Sequence, residues 1–235
     1  MSLIELKQIL RKNADREQAK ILKWFFKTAP GDYGEGDKFL GIKVPVLRKI
    51  SKNFINLNLD ELQLLLSSEI HEERLAALMI LVLKFQKCSY DKERKHIFDF
   101  YLKNTKNINN WDLVDLSAPK IVGEYLLDKD KLILENLASS KILWEKRISI
   151  LSTFQFIKAN QFETSLNIAE KLLNDDHDLI HKAVGWMLRE IGKRNLSVEE
   201  NFLNQHYKKM PRTMLRYAIE KFPEKKRQTY LKNKI

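Results

Sequence analysis

Apolar residues recur at helical spacing along almost the whole chain. One stripe follows the i, i+3, i+4, i+7 pattern from Leu75 to Val82, and another, with steps of four, three and four residues, runs from Ile180 to Ile191. This periodicity predicts about a dozen helices with short joints. The predicted joints are residues 31–41, 56–60, 104–110, 128–131 and 174–178, together with the turn before Pro211.

Three stretches of the sequence resemble one another. SSEIHEERLAALMIL, which begins at Ser67, is similar to SSKILWEKRISIL from Ser139, and LIHKAVGWML from Leu179 continues the pattern. With the segment from Trp111 between them, successive units are about 33 to 40 residues apart, the period of two-helix HEAT or armadillo repeats. We therefore predict an all-α, right-handed superhelical solenoid of HEAT-like two-helix repeats, a single domain over residues 1–235 with a concave basic groove. The alternatives are chance similarity among amphipathic helices and a non-solenoid helical bundle.

The composition supports a folded helical protein. Apolar residues make up 44% and charged residues 31% of the chain, as in soluble globular proteins. Glycine and proline are scarce, with 7 and 5 residues, and Pro45 and Pro211 suit the first turn of a helix. The single cysteine, Cys88, excludes an intramolecular disulfide and a multi-cysteine zinc site, and we interpret it as a structural thiol.

Neither a targeting segment nor a membrane span is expected. The N-terminal stretch MSLIELKQIL contains Glu5 and lacks the uninterrupted apolar core of a signal peptide. The longest apolar run, Leu75 to Leu83, is too short to cross a bilayer. We therefore expect a cytoplasmic protein without a membrane partner.

The formal charge of +11 is concentrated in two places. From Gln205 to the C-terminus there are ten Lys or Arg residues and two acids, and residues 43–52 contain four cations and no acid. Such clustering favours a polyanionic partner, nucleic acid before membrane, although a solubilising surface would have the same composition. From these clusters we expect DNA contacts at Lys43, Arg48, Arg212 and Arg216.

The predicted helix from His181 to Arg194 carries an aromatic ring among cations. Trp186 and three basic residues are spaced at four, three and four positions, so they share one face nearly opposite the apolar stripe. Such a face suits nucleic acid, with the indole against a base or the backbone and the cations at phosphates. The alternative is a Trp that covers a neighbouring helix while long basic side chains extend around it. The three cations are Lys182, Arg189 and Lys193.

The segment NINNWDLVDLSAP combines an aromatic residue with acids. Trp111 and Asp115 are one helical turn apart on the same face, whereas Asp112 lies off that face and can support the helix N-terminus. An acid in this position repels phosphate, but it suits a site where positive charge is recognised or stabilised. The alternative is a solvated surface Asp beside a packing Trp.

In ILWEKRISIL, Arg147 falls on the same helical side as Trp144, where it can reach a phosphate, Glu145 or a neighbouring repeat.

Motifs of several other enzyme classes are missing. GDYGEGDKFLG has neither GxGxxG nor P-loop spacing, and no GxSxG nucleophile motif occurs. His177 and His181 form an i, i+4 pair without an HExxH frame, so we expect no metal site.

Four motifs occur in order over nearly the whole chain. They are FLGIKVPVLRK (39–49), NNWDLVD (109–115), LWEKRISIL (143–151) and HKAVGWMLREIGK (181–193). Together they resemble the DNA alkylation repair family of HEAT-like-repeat alkylpurine DNA glycosylases. Carried over by position, the resemblance implies that Trp111 and Trp186 bracket the lesion, that Asp115 is the catalytic carboxylate, and that Arg147 binds phosphate beside it. Phe25 stands where members of the family can carry a tyrosine.

The resemblance implies an enzyme that hydrolyses the N-glycosidic bond of N3- or N7-alkylated purines in duplex DNA, as a monomer and without a metal or organic cofactor. An alkylated purine of this kind is positively charged and already a good leaving group. A carboxylate would stabilise the oxocarbenium-like sugar, and indole faces would attract the cationic base. The family resemblance implies an open cleft, although many glycosylases flip the base into a cavity.

Two other functions stay open on the sequence. The same groove can serve a non-catalytic binder of branched or damaged DNA, and HEAT-like solenoids often serve as protein-binding scaffolds. The basic aromatic face around Trp186 argues against the scaffold. The repair assignment depends on one geometric expectation, that Trp111, Asp115, Arg147 and Trp186 converge along a positively charged trough.

Overall fold

A computed structural model describes residues 1–232. Within that range the chain is helical, and its only β interaction is an isolated parallel bridge between Lys38 and Ile70. The all-α prediction is therefore confirmed. The chain divides into two compact units, Met1–Ser117 and a second that begins at Ala118. The HEAT-like solenoid, its handedness and the single domain stay predictions.

The first unit is built around one long helix. This helix, α5, is buried along almost its whole length, with apolar residues on every side rather than in one stripe. Helices α1, α3, α4 and α6 pack against it. Their bounds are α1 Leu3–Lys12, α2 Arg16–Phe25, α3 Val44–Lys52, α4 Leu59–Leu66, α5 His71–Lys87, α6 Asp91–Lys103 and α7 Trp111–Ala118, with a 3₁₀ turn at Thr105–Asn107.

Local sequence signals start several of these helices. Ser2 and Glu5 form a capping box at α1, and Asn58 and Glu61 form one at α4, so orphan N–H groups at both helix ends gain acceptors. Pro45 lies in the first turn of α3, as predicted.

A buried carboxylate fixes the loop between α2 and α3. Glu72 accepts hydrogen bonds from the backbone N–H groups of Leu40 (2.9 Å), Gly41 (2.8 Å) and Ile42 (3.2 Å). Gly41 has a φ of +88°, and a Cβ there would lie 2.0 Å from the carbonyl oxygen of Asp15. The loop can therefore approach α2 this closely only with glycine at position 41.

The second unit begins with a short π-helix and continues with shorter helices than α5. Helix α12 is at its centre and packs against α9, α11, α13 and α14. Gly185 allows α14 to pack closely against α12, because a Cβ there would lie 2.4 Å from the carbonyl oxygen of Met214. The bounds are a π-helix Pro119–Gly123, α8 Leu132–Ala138, α9 Leu143–Ser152, α10 Phe154–Lys158, α11 Glu163–Lys171, α12 Asp178–Gly192, α13 Leu196–His206, α14 Arg212–Ala218, a 3₁₀ turn Ile219–Lys221 and α15 Glu224–Leu231.

The predicted joints coincide with breaks between helices, and several additional breaks occur. Pro211 caps α14 from the position just before the helix rather than from its first turn. The breaks at residues 13–15 and 159–162 were not predicted, because neither glycine nor proline interrupts the pattern there. None of the helices in residues 1–232 is long and apolar enough to cross a membrane.

Candidate active site

A cavity of about 420 Å³ opens in the first unit. Its walls come from α2, the loop before α3, the first turns of α3 and α5, and α7. Aromatic and acidic side chains dominate the part of the lining that carries chemistry. They are Phe25, Phe26, Phe39 and Trp111 on one hand and Glu72, Asp112 and Asp115 on the other, with Lys43 at the edge of α3.

The aromatic wall is a packed set of rings. Phe26 stacks on Trp111, with ring centroids 5.2 Å apart and planes inclined by 24°. Phe26 also stacks on Phe39, with ring centroids 5.2 Å apart. Phe25 meets Trp111 edge to face at 5.8 Å. Such pairs are favourable beyond simple burial, so the wall has a defined geometry. Phe25 thus lies in the site, without the hydroxyl that a tyrosine would supply.

Trp111 and Asp115 both line this cavity, one turn apart on α7. Tyr101 of α6 is fully buried, and its hydroxyl lies 2.9 Å from the hydroxyl of Ser117 on α7. Burial raises the pKa of Tyr101, and the negative charge of Asp115 adds to that effect. Tyr101 therefore stays neutral beside an acidic neighbour.

A buried charge network supports the start of α7. The two ring nitrogens of His71 lie 3.1 Å from Asp37 and 2.8 Å from Asp112. Asp37 also accepts hydrogen bonds from Arg74 at 2.6 Å and from the side-chain amide of Asn110 at 3.2 Å. Because carboxylates accept and do not donate, both His71 nitrogens carry a proton, and the ring is an imidazolium.

The electrostatics agree with that protonation state. Burial by itself would lower the pKa of His71, but the hydrogen bonds to Asp112 and Asp37 and their negative charges outweigh it and raise the pKa to about 9. Burial would raise the pKa of Asp37, yet the hydrogen bond from His71 and the charge of Arg74 hold it below its usual value. The cation and the carboxylates therefore stabilise one another in the interior.

This network places the site residues of α7. The side-chain oxygen of Asn110 accepts the Trp111 backbone N–H at 2.8 Å, and Asp112 accepts the Leu113 N–H at 2.8 Å. The ring of His71 also lies 4.7 Å from that of Phe39. Asp112, which the sequence placed off the Trp111 face, thus links the helix N-terminus to the aromatic wall.

The residues that support α7 were not predicted from the sequence. The signal that could have indicated them is HEER, residues 71–74, four polar residues at the start of an apolar helix, which we interpreted only as part of a repeat. All four are buried. Charged residues in a first helical turn are ordinarily solvated, so their burial required the tertiary contacts to be known.

Arg147 lies on α9 in the second unit and is 5% exposed. One of its terminal nitrogens donates to the backbone carbonyl of Leu179 at 2.6 Å. Of the three partners considered from the sequence, the structure therefore gives it contact with a neighbouring helix, α12. Its role in binding phosphate stays a prediction.

Trp186 is half-buried on α12. Its indole N–H donates to the Glu190 carboxylate at 3.1 Å, and its ring centroid lies 6.1 Å from that of Phe154. Part of the ring therefore packs on α10, as in the packing alternative. The convergence of Trp186 and Arg147 with Trp111 and Asp115, which belong to the other unit, stays a prediction.

The basic residues around Trp186 are each paired with a carboxylate. These ion pairs balance the local charge, so this face is less positive than the sequence pattern indicates. Phosphate would have to compete with acids already in place. The pairs are Lys182 with Asp178 at 2.6 Å, Lys193 with Glu190 at 2.6 Å, and Arg189 with Glu220.

The other four predicted DNA contacts differ from the cations around Trp186 in ion pairing. Lys43, Arg48, Arg212 and Arg216 are exposed, and within residues 1–232 none of them has a carboxylate at ion-pairing distance. Arg212 and Arg216 are one turn apart on α14. One of the ten cations counted from Gln205 onward, Lys234, lies outside the described residues.

In the described part of the chain, no group of three His, Cys, Asp or Glu side chains could hold a metal ion.

Comparison with protein families decides the assignment. The model of the family described as DNA alkylation repair enzyme matches residues 6–222. The chain belongs to the DNA alkylation repair enzyme family. This membership gives it a role in DNA repair, as an enzyme whose substrate is DNA.

A solved structure supports the fold of this DNA alkylation repair enzyme. The protein described as a predicted DNA alkylation repair enzyme from Enterococcus faecalis is similar with a TM-score of 0.69 and 16% sequence identity, over 90% of this chain and 98% of that chain. At this identity the likeness shows a shared fold and no more. No curated protein matches the sequence.

Proposed function

We propose that this DNA alkylation repair enzyme is a DNA glycosylase that hydrolyses the N-glycosidic bond of N3- and N7-alkylated purines in duplex DNA. The observation that carries the proposal is the aromatic cavity with Asp115 in its lining. An alkylated purine of this kind is a flat ring with a formal positive charge. Aromatic faces attract such a cation by about 0.5 to 2 kcal/mol each, and a carboxylate attracts it further.

The proposed reaction is a hydrolysis at C1′ of the deoxyribose. The bond from C1′ to the purine nitrogen breaks, and its electron pair leaves with the base and neutralises the base's positive charge. Water then bonds to C1′ and releases a proton to Asp115 or to solvent. Asp115 stabilises the positive charge that develops on the sugar between these events. No general acid is required, because the leaving group is already cationic.

The second unit supplies the remaining proposed groups. Arg147 would hold a phosphate beside the lesion, and Trp186 would contact the backbone on the lesion's other side. The carboxylates now paired with the cations near Trp186 would keep affinity for undamaged DNA moderate. A cytoplasmic monomer without a cofactor is part of the proposal.

The decisive experiment measures release of 7-methylguanine and 3-methyladenine from methylated duplex DNA without added metal. We expect Asp115→Asn to keep DNA affinity, or to raise it by removing repulsion, while it slows excision by at least about tenfold. Asp128→Asn removes an equally negative but exposed side chain and should change neither property. Equal excision rates for Asp115→Asn and wild type would remove Asp115 from the mechanism.

A non-catalytic binder of branched or damaged DNA is the second candidate. The observation in its favour is Phe25, which lines the cavity and cannot donate a hydrogen bond. Tight, salt-sensitive DNA binding by wild type with no base release would select this function. Asp115→Asn would then have little effect in any assay.

A further inference from the structure

A second aromatic cleft lies on the other side of Phe25. We call it the Trp24 cleft, a depression of about 580 Å³ formed by the end of α2 and the loop that follows. Phe25 lines both this cleft and the candidate active site. Trp24 is 82% exposed, although a side chain of this size is ordinarily largely buried. The lining residues are Lys23, Trp24, Phe25, Lys27, Thr28, Ala29 and Asp32.

The charge of the Trp24 cleft is opposite to that of the active site. Lys23 and Lys27 are exposed, and within residues 1–232 neither has a carboxylate at ion-pairing distance. Asp32 is the one acid among the lining residues of the cleft. Three acids and two cations, Lys43 and His71, line the active-site cavity, so its lining keeps a net negative charge. A cationic alkylated base is therefore repelled by the cleft and attracted by the cavity. A neutral base is not repelled by the cleft, and the phosphate next to it in the strand is attracted by Lys23 and Lys27.

The backbone holds Lys27 in an unfavourable conformation. Lys27 follows the C-cap of α2 with a φ of +51°, a position where glycine is the least strained residue. The loop is fixed around it, since the Gly34 N–H donates to the Lys27 carbonyl at 3.1 Å and a Cβ on Gly34 would lie 2.4 Å from the Phe26 carbonyl oxygen. A lysine here lowers stability, and it places a cation beside Trp24.

We propose that the Trp24 cleft is a second nucleobase site. It takes a neutral, unpaired base stacked on the Trp24 ring, with the adjoining phosphate on Lys23 and Lys27. The base must be unpaired because bases within a duplex have both faces covered by their neighbours, and an exposed indole can stack only on an open face. This inference rests on DNA being the substrate and deepens the proposed function, since Phe25 adjoins both sites.

The test compares two unmodified, labelled duplexes of the same length, one fully paired and one with a single bulged nucleotide. Fluorescence anisotropy of the full chain should show that wild type prefers the bulged duplex. Trp24→Ala should weaken binding to that duplex by about fivefold or more, while Trp24→Phe keeps most of the preference. Tyr90→Ala removes another aromatic side chain of the same unit, 72% exposed, and should have no effect. Equal affinities for Trp24→Ala and wild type would overturn the proposal.

Lys27→Gly separates binding from folding. Glycine relieves the left-handed backbone, so the variant should melt at a higher temperature than wild type. It should nevertheless bind the bulged duplex more weakly, with a salt dependence reduced by about one phosphate contact. A purely structural loop, or one that binds a protein partner, predicts a more stable variant with unchanged DNA affinity. That result would also overturn the proposal.

Failure here is distinguishable from failure of the glycosylase. Because both duplexes are unmodified, the bulge preference requires no base release, and Asp115→Asn should retain it. Base release without any bulge preference would remove the second site and leave the glycosylase. A bulge preference without base release would remove the glycosylase and leave the second site.

Discussion

Protonation of one buried side chain, His71, contributes to the stability of the candidate site. His71 lies in the interior between two carboxylates, and its charge holds α7 against α5. The folded-state pKa of about 9 lies above the value of about 6.5 expected for an unfolded chain. A raised pKa of this kind stabilises the fold fully below the unfolded value, and the contribution is lost as pH rises through the folded value.

We therefore predict that the free energy of unfolding falls by a few kcal/mol between about pH 6.5 and pH 10. Urea denaturation across this range measures it. In His71→Gln the decline should be much smaller, because the titrating group is gone and the variant starts from a lower stability. His96→Gln, at an exposed position of α6, is the matched control and should keep the wild-type profile. An unchanged decline in His71→Gln would mean that another group is responsible.

Trp111 provides a second residue-scale prediction. Its indole is half-buried, stacks on Phe26 and lines the active-site cavity. Trp111→Phe keeps a π face and should lower kcat/KM for release of a cationic base by less than about tenfold, whereas Trp111→Ala should lower it by more. Single-turnover excision on one defined lesion measures both. A drop of the same size in the two variants would show that an aromatic face by itself is not what the site requires at position 111.

At the scale of elements, the loop from α2 to α3 forms one side of both the cavity and the Trp24 cleft. Two of its glycines have positive φ values, +88° at Gly41 and +83° at Gly31, but they differ in their surroundings. A Cβ on Gly41 meets backbone atoms at 2.0 and 2.6 Å, while a Cβ on Gly31 meets nothing within 4 Å.

Gly31→Ala should therefore cost about 1 kcal/mol, from backbone conformation alone. Gly41→Ala should cost at least about 2 to 3 kcal/mol, because it also pushes the loop from α2 and stretches the hydrogen bonds to Glu72. Thermal or urea unfolding of the two variants measures the difference, and excision by Gly41→Ala should also fall. Equal losses of stability would mean that the loop yields without strain.

At the scale of the whole molecule, the net charge of +11 predicts DNA binding with a strong salt dependence. The pairing of individual cations refines that prediction. Arg212 and Arg216 are exposed and have no carboxylate within ion-pairing distance in residues 1–232, whereas Lys182 and Lys193 are ion-paired on α12.

Changing Arg212 and Arg216 together to Glu should weaken binding to all sequences and reduce the slope of log affinity against log salt by about two. The same change at Lys182 and Lys193 should alter the slope less, because those cations already have partners. Lys92→Glu with Lys103→Glu, two exposed positions on α6, is the charge-matched control. Equal slopes for the first pair and the control would exclude α14 from the DNA contacts.

Helical periodicity and the joints between helices were predictable, because they depend on residues close together in the chain. The pairing of Trp111 with Asp115 in one cavity follows from a spacing of four on one helix. The pairing of the cations around Trp186 was predictable only in part. Lys182 and Lys193 pair with Asp178 and Glu190, which lie within four residues of them, so these two pairs were open to prediction from the spacing. Arg189 pairs with Glu220, 31 residues away, and no local pattern indicates that partner.

The sequence by itself determined the helical class, the family, and the placement of Trp111 and Asp115 on one face of α7, since each of these is recorded in local pattern or ordered motifs. Only the tertiary structure decided which charges are buried, that His71 is held between Asp37 and Asp112, and that Phe25 separates two clefts of opposite charge. The physical reason is desolvation. Whether a charge is solvated or paired depends on segments far away in the chain, and hydrophobic periodicity carries no information about them.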